Sequence, residues 1–300
     1  MPDAFAIPTF MRHPDFPSTL AAPPAWEASL RLRFAARAER SALVERRHQG
    51  PLLVQKPLYP EGSICHVVIL HPPAGVAGGD SLDIDVTVGA GAHAVLATPG
   101  ATKWYKSLGR EAAQRVTLTL EARARVDWLP QENIVFDDAH ARLATTVTVA
   151  PGASAIGWDA VVLGRQASGE TWSRGTLGMQ TRVQGGGKRA LWIESAQLDA
   201  ASALRQAVAG LDGLNVMGTL WAVGDGATQE LAETLAEQLP YRPDLRAGVT
   251  RLEQDGQSML LLRVLGAQME AVRHLMATAW SALREPIHGV PARPLRLWAT

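Results

Sequence analysis

Val86-Thr87-Val88-Gly89-Ala90-Gly91-Ala92-His93-Ala94-Val95-Leu96 is the first of three variants of one theme that together fill the stretch from Leu70 to Trp172. It leads into the loop Thr98-Pro99-Gly100-Ala101-Thr102-Lys103-Trp104-Tyr105-Lys106-Ser107. The second variant is Leu118-Thr119-Leu120-Glu121-Ala122-Arg123-Ala124-Arg125-Val126-Asp127-Trp128-Leu129, leading into Pro130-Gln131-Glu132-Asn133. The third is Val147-Thr148-Val149-Ala150-Pro151-Gly152-Ala153-Ser154-Ala155-Ile156-Gly157-Trp158, then Asp159 and the loop Gly164 to Glu170. From Val86 to Leu118 is 32 residues, and from Leu118 to Val147 is 29. Each variant joins a strand of period 2 to a tight turn and a second short strand. A repeat of about 30 residues is the mark of units that bury a core only by stacking on one another. Stacked in register, the three loops leave from one side, and loops on a rigid scaffold commonly carry function.

Outward from this stretch the same alternation continues. Trp26, Ala28, Leu30, Leu32 and Phe34 share one strand face, with Glu27, Arg31 and Arg33 opposite. Cys65 to Leu70 is a continuous apolar run suited to a strand buried on both sides. Leu82 to Val88, Thr176 to Val183, Ala190 to Glu194 and Ser258 to Val264 also read as strands. Residues 227–239 and 268–283 have helical spacing instead. Pro286, Pro291 and Pro294 point to an extended ending. The expectation is a mainly β body with two late helices, one domain over 26–300, preceded by a flexible proline-rich arm over 1–25.

Composition narrows the function. Lysine plus arginine number 29, as do aspartate plus glutamate, so no net field favours nucleic acid or an anionic membrane. Cys65 is the only cysteine, which rules out an internal disulfide framework and fits a reducing cytoplasm. No basic segment followed by an apolar run opens the chain, and no stretch of about 18 apolar residues is present.

Single motifs leave several readings open. The segment His71 to Asp80 carries Gly75, Gly78 and Gly79, but a strand follows where a dinucleotide fingerprint needs a helix. Asp80 either satisfies turn amides or faces a cavity. His71 alone reads as a structural histidine, since no His-x-His, Cys-x-x-Cys or His-Glu-x-x-His pattern accompanies it. Lys103-Trp104-Tyr105-Lys106 suits a packed loop or an aromatic partner interface better than nucleic acid. Glu132, Asp137, Asp138 and Asp159 could form a hydrolytic acid/base pair, hold a divalent cation weakly, or be solvated loop charge. Arg165, Glu170 and Arg174 could brace the third loop as ion pairs.

His71 to Asp80, Thr98 to Ser107 and Trp128-Leu129-Pro130-Gln131-Glu132-Asn133-Ile134-Val135-Phe136, taken in order, resemble the successive signatures of the urease accessory protein family UreD (also called UreH). Gly164-Arg165, Gly169-Glu170 and Leu297-Trp298-Ala299-Thr300 are similar to it as well. The resemblance spans about 30 to 300; Ala74 and Asn133 depart from the usual Gly and Thr. It implies a β-helix-like stack with two helices and a non-enzymatic maturation factor. Such a protein binds urease structural subunits and accessory protein UreF, and with the GTPase UreG passes transient Ni2+ to urease, with no tightly bound cofactor. It further implies an interior route lined by Asp80, Glu132 and Asp159, with Tyr105 and Ser107 beside it. His71, Gly75, Gly78, Gly79, Lys103, Trp104, Pro130, Gln131, Arg165 and Glu170 match as motif positions. On the late helices, Met269, Met276 and Trp280 are candidate anchors for a partner, or simply pack on the β body. The rival function is a carboxylate-dependent hydrolase using Glu132 with Asp137 or Asp138.

Overall fold

Val86, Leu118 and Val147, the residues that set the repeat, are partners on successive parallel strands. Leu32 precedes them and Val183 follows, so one fully buried apolar row crosses five strands. The computed structural model describes residues 25–187 and 189–299. The arm expected over 1–25 lies, apart from Ala25, outside the described residues, as does Thr300.

In chain order the strands are β1 (Glu27–Ala36), β2 (Ser41–Gln49), β3 (Leu53–Val54), β4 (Cys65–Leu70), β5 (Gly75–Val76), β6 (Ser81–Val88), β7 (His93–Ala97), β8 (Thr102–Trp104), β9 (Ala112–Leu120), β10 (Arg125–Leu129), β11 (Asn133–Val135), β12 (Ala139–Val149), β13 (Ser154–Leu163), β14 (Gly175–Gln184), β15 (Ala190–Asp199), β16 (Val216–Val223), β17 (Leu245–Gln254) and β18 (Gln257–Gly266). The helices are α1 (Gln229–Gln238) and α2 (Met269–His288). One sheet runs β15-β14-β12-β9-β6-β1-β2. The other runs β17-β18-β16-β13-β10-β7-β4-β3, with β5, β8 and β11 forming a short third face beside it. The chain passes from sheet to sheet once per repeat and climbs as a β-solenoid of about four turns. Antiparallel β16, β17 and β18 extend the second sheet past the coil.

The corners explain the repeat. Gly91, Arg123 and Gly152, again 32 and 29 apart, each adopt positive φ (69°, 57° and 71°). The next residue, Ala92, Ala124 or Ala153, turns inward and is buried. Its amide closes the turn onto Gly89, Glu121 or Ala150. An L side chain in the left-handed region costs roughly 1–2 kcal/mol, which glycine avoids at some entropic cost. Arg123→Gly should therefore raise stability by about 0.5–1 kcal/mol in urea unfolding.

Two apolar cores share the second sheet. Ala94, Leu96, Val126, Ala155 and Val161 face the solenoid interior. Val95, Ile156, Ala160, Leu220 and Leu262 face outward onto α1 and α2. This double burial is why β4 and β7 are almost wholly apolar. Burying each such side chain contributes about 1.5–3 kcal/mol before entropy is counted. The sequence placed both helices, but it ended the second at Leu283. α2 instead continues through Pro286 to His288 and stops at left-handed Gly289, whose amide returns to Glu285. A 3-10 turn at Arg296–Ala299 replaces the expected extended ending. Among the described residues no helix is long and apolar enough to cross a membrane.

Candidate functional site

Toward the late end of the solenoid the two sheets part around a cavity of about 660 Å³. Its polar side chains come from two facing rows. Asp159, Thr219 and Arg263 are partners across β13, β16 and β18. Thr145, Thr181 and Glu194 are partners across β12, β14 and β15. All six line the cavity. Thr145 Oγ1 donates to Asp159 Oδ2 (3.4 Å), and Arg263 Nη1 meets Glu194 Oε1 at 2.5 Å. Burial pushes the Asp159 carboxyl up to about 6, against the hydrogen bond from Thr145 and with the charge of Glu194 adding to the rise. Arg246, paired with Asp212 at 2.7 Å, and exposed Tyr241 and Val208 stand at the rim. Two carboxylates in an otherwise mostly apolar chamber can hold a small cation loosely, because water must complete its coordination.

The other two carboxylates expected on the same route lie elsewhere. Asp80 accepts the amides of Trp26 (2.8 Å) and Ala77 (3.0 Å), which is the turn-satisfying role. Glu132 pairs with Arg273 of α2 at 2.6 Å. It sits with Trp158, Ala160 and Met276 against the outer face of the second sheet, opposite the face that carries Asp159. Alternation along β13 puts residues 158 and 159 on different sides, so Glu132 and Asp159 cannot share one chamber.

The motif residues stack the short third face. Trp104 is buried and donates Nε1 to Asn133 Oδ1 (3.0 Å). Lys103 and Gly75 pair in register, and Tyr105 lies so close to Gly75 that a Cβ there would come within 2.4 Å of its ring. Tyr105 also meets Phe136 edge-on at 5.3 Å. Gly78 backs onto Ser107, whose hydroxyl accepts the His140 amide (3.0 Å) and donates to the Asp138 carbonyl. Gly79 takes positive φ, 97°. The Pro130 carbonyl accepts Trp158 Nε1 (2.7 Å), and the Gln131 amide donates to Thr98 Oγ1 (2.8 Å). Arg165 pairs with Glu170 (2.8 Å) and covers Phe136. His71 is half-buried, and burial lowers its pKa. Neither His71 ring nitrogen has a hydrogen-bond partner among the described residues. Tyr105 and Ser107 thus brace the loops and do not line the cavity.

The proposed helix anchors also turn inward. Met276 packs on Gly218, Trp280 is fully buried, and Met269 is partly buried on the same core. Met276 and Trp280 thus fasten α2 to the sheet, while Met269 keeps part of its side chain exposed. Nor are the hydrolase carboxylates paired with one another. Asp137 is bound by Arg174 (2.7 Å) and by the Ser173 amide, which hold it well below the ordinary carboxylate range. Asp138 pairs with Lys106 at 3.3 Å.

Sequence reading missed a buried cluster beneath α2. Asp127 accepts Trp280 Nε1 (2.7 Å) and meets His93 Nε2 (3.0 Å), with Arg284 Nε at 3.4 Å and His288 Nε2 at 3.6 Å. Arg284 also grips Glu61 with both terminal nitrogens (2.6 and 3.0 Å), and Glu61 meets His66 at 2.8 Å. His93, Asp127 and His288 bring their ligand atoms within 4.8 Å, a donor set that could hold a metal. Both Asp127 oxygens already serve N–H donors, and the guanidinium supplies the counter-charge, so the cluster reads as a lock between helix and solenoid. A signal existed in the sequence: in the aligned repeats Asp127 stands where Val95 and Ile156 stand. Glu194 carried a similar signal, a carboxylate in the row Trp192, Ala196, Leu198.

Residues 27–299 match the family described as UreD urease accessory protein. The chain is 79% identical over 290 residues to the urease accessory protein UreD of Cupriavidus necator, covering 97% of this chain and 100% of that one. It is 75% identical to the Cupriavidus pinatubonensis protein of that name, over the same shares. Identity to the Delftia acidovorans protein of that name is 51%, over 92% of this chain and 95% of that one. With a solenoid of the expected kind and matches along nearly its whole length, the chain belongs to the UreD family of urease accessory proteins, which are maturation factors and not enzymes.

Proposed function

We propose that this chain acts in urease maturation by conducting Ni2+ through the cavity between its sheets, with Asp159 and Glu194 as the groups that hold the ion in transit. The observation that carries this reading is the pair of carboxylates on facing rows of one 660 Å³ chamber. A closed cage of histidine and thiolate would trap nickel; two carboxylates completed by water release it. Asp80 and Glu132 drop out of this route because neither lines the chamber: Asp80 caps a turn, and Glu132 lies against the opposite face of the second sheet. The complex in which this happens comprises the urease structural subunits, UreF and the GTPase UreG.

Asp159→Asn and Glu194→Gln should each lower nickel-dependent urease activation by about tenfold, since each removes one charge from contact with a divalent ion. Co-purification with urease subunits should persist in both. Full activation by the double variant would overturn the reading.

A further inference from the structure

The cavity contains one feature that conduction of a cation does not require, a positive charge set against one of its two acids. Arg263 projects from β18 into the same chamber as Asp159, and its Nη1 lies 2.5 Å from Glu194 Oε1. The Arg263 side chain is 48% exposed and that of Glu194 21%. Asp159 lies two strands further in, where Thr145 is its hydrogen-bond donor. An ion entering past this edge would meet the Arg263–Glu194 pair before it met Asp159. The guanidinium has a second support beside it, since it also lies over the ring of Trp192, 5.7 Å from the centroid.

We infer that Arg263 gates the cavity: its guanidinium occupies Glu194 until a divalent cation displaces it. The inference rests on the conduit reading above and adds a residue that determines specificity. Three physical facts support it. A half-exposed ion pair is worth little, so opening it costs little. A monovalent ion that replaces a guanidinium on Glu194 exchanges one unit charge for another and gains almost nothing. A divalent ion doubles the attraction to Glu194 and then reaches a second carboxylate at Asp159. The pair therefore filters by charge, keeping sodium and potassium out while remaining open to nickel. The pair also gives Glu194 a counter-charge of its own.

The test is Ni2+ binding to the purified full chain by calorimetry at pH 7.5, for the wild type, R263Q, R263M, R263K and D159N. Removing a cation from the neighbourhood of a divalent ion should tighten binding about tenfold in R263Q and R263M, on the Coulomb scale of a water-like medium. R263K keeps the charge and should stay within about threefold of wild type. D159N should weaken binding in every case. If D159N weakens binding while R263Q and R263M match the wild type, the gate is wrong and the conduit stands. If D159N binds as the wild type does, the conduit itself fails and the gate falls with it.

Discussion

Asp127→Ala should destabilise the protein by about 3–5 kcal/mol, the range for removing one partner from a buried charged network. The carboxylate is fully buried, and burial alone would raise its pKa; the imidazoles and the guanidinium around it outweigh that and hold it well below the ordinary carboxylate value. Alanine would leave the Trp280 N–H and His93 Nε2 without their acceptor. It would also leave Arg284 dependent on Glu61 for charge compensation, with the Pro291 carbonyl as its other partner. These groups join β4, β7, β10 and the loop before β4 to the last three turns of α2, so the loss falls on the docking of that helix. At roughly 2–4 °C per kcal/mol for a large domain, the melting temperature should drop by on the order of 10 °C. The exposed Arg33–Glu121 pair, 2.8 Å long, is the control, and its loss should cost under about 1 kcal/mol. A loss below about 1 kcal/mol for Asp127→Ala in urea unfolding would remove the lock.

Asp159→Asn should steepen the loss of stability as pH falls from about 6 to 4. Two fully buried groups act in opposite senses, and half-buried His71, also lowered by burial, acts with His288. Burial takes His288 down to about 3 from 6.5, with Asp127 pulling the other way. In that window the unfolded chain holds a proton on His288 that the folded chain lacks, so this group removes stability as pH falls below 6.5. Asp159 is raised from 3.8 to about 6. Here the folded chain holds the proton that the unfolded chain lacks, so this group adds stability as pH falls through 6 toward 3.8. Each slope is about 1.4 kcal/mol per pH unit, and they oppose one another over the shared range. Asn cannot titrate, which unmasks the His288 slope. Urea midpoints at pH 4.5, 5.5 and 6.5 would read it, and a profile in Asp159→Asn no steeper than that of the wild type would show that the two groups do not compensate. Below about pH 4 the depressed carboxyls of Glu61, Asp127 and Asp137 add their own loss.

The solenoid was legible because its cause is local and repeated. Val86, Leu118 and Val147 recur at the register that the parallel ladder uses, and Gly91 and Gly152 mark corners where the backbone needs left-handed φ. Period 2 tells which side chains share a face, and stacking forces equivalent residues into one row. The motif loops were expected to leave from one side for the same reason, and β5, β8 and β11 within them stack in register. β16 and β17, which pair antiparallel outside the repeat, were missed as strands, although β18 between them was read as one.

The site was a matter of tertiary structure. Asp80 lies past β5, Glu132 just before β11 and Asp159 within β13; one caps a turn, one pairs with a helix and one faces the interior. Sequence order alone does not say which side of a doubly buried sheet a loop carboxylate joins, because both sides are apolar. Glu194 and Arg263 lie 69 residues apart and meet only because β15 and β18 close over the same end of the chamber. Asp127 and Arg284 are 157 apart and meet only when α2 docks. The sequence by itself determined the coil, its corners and the family. Which charges face one another was decided by the closure of two sheets and the docking of one helix, through contacts that no local periodicity encodes.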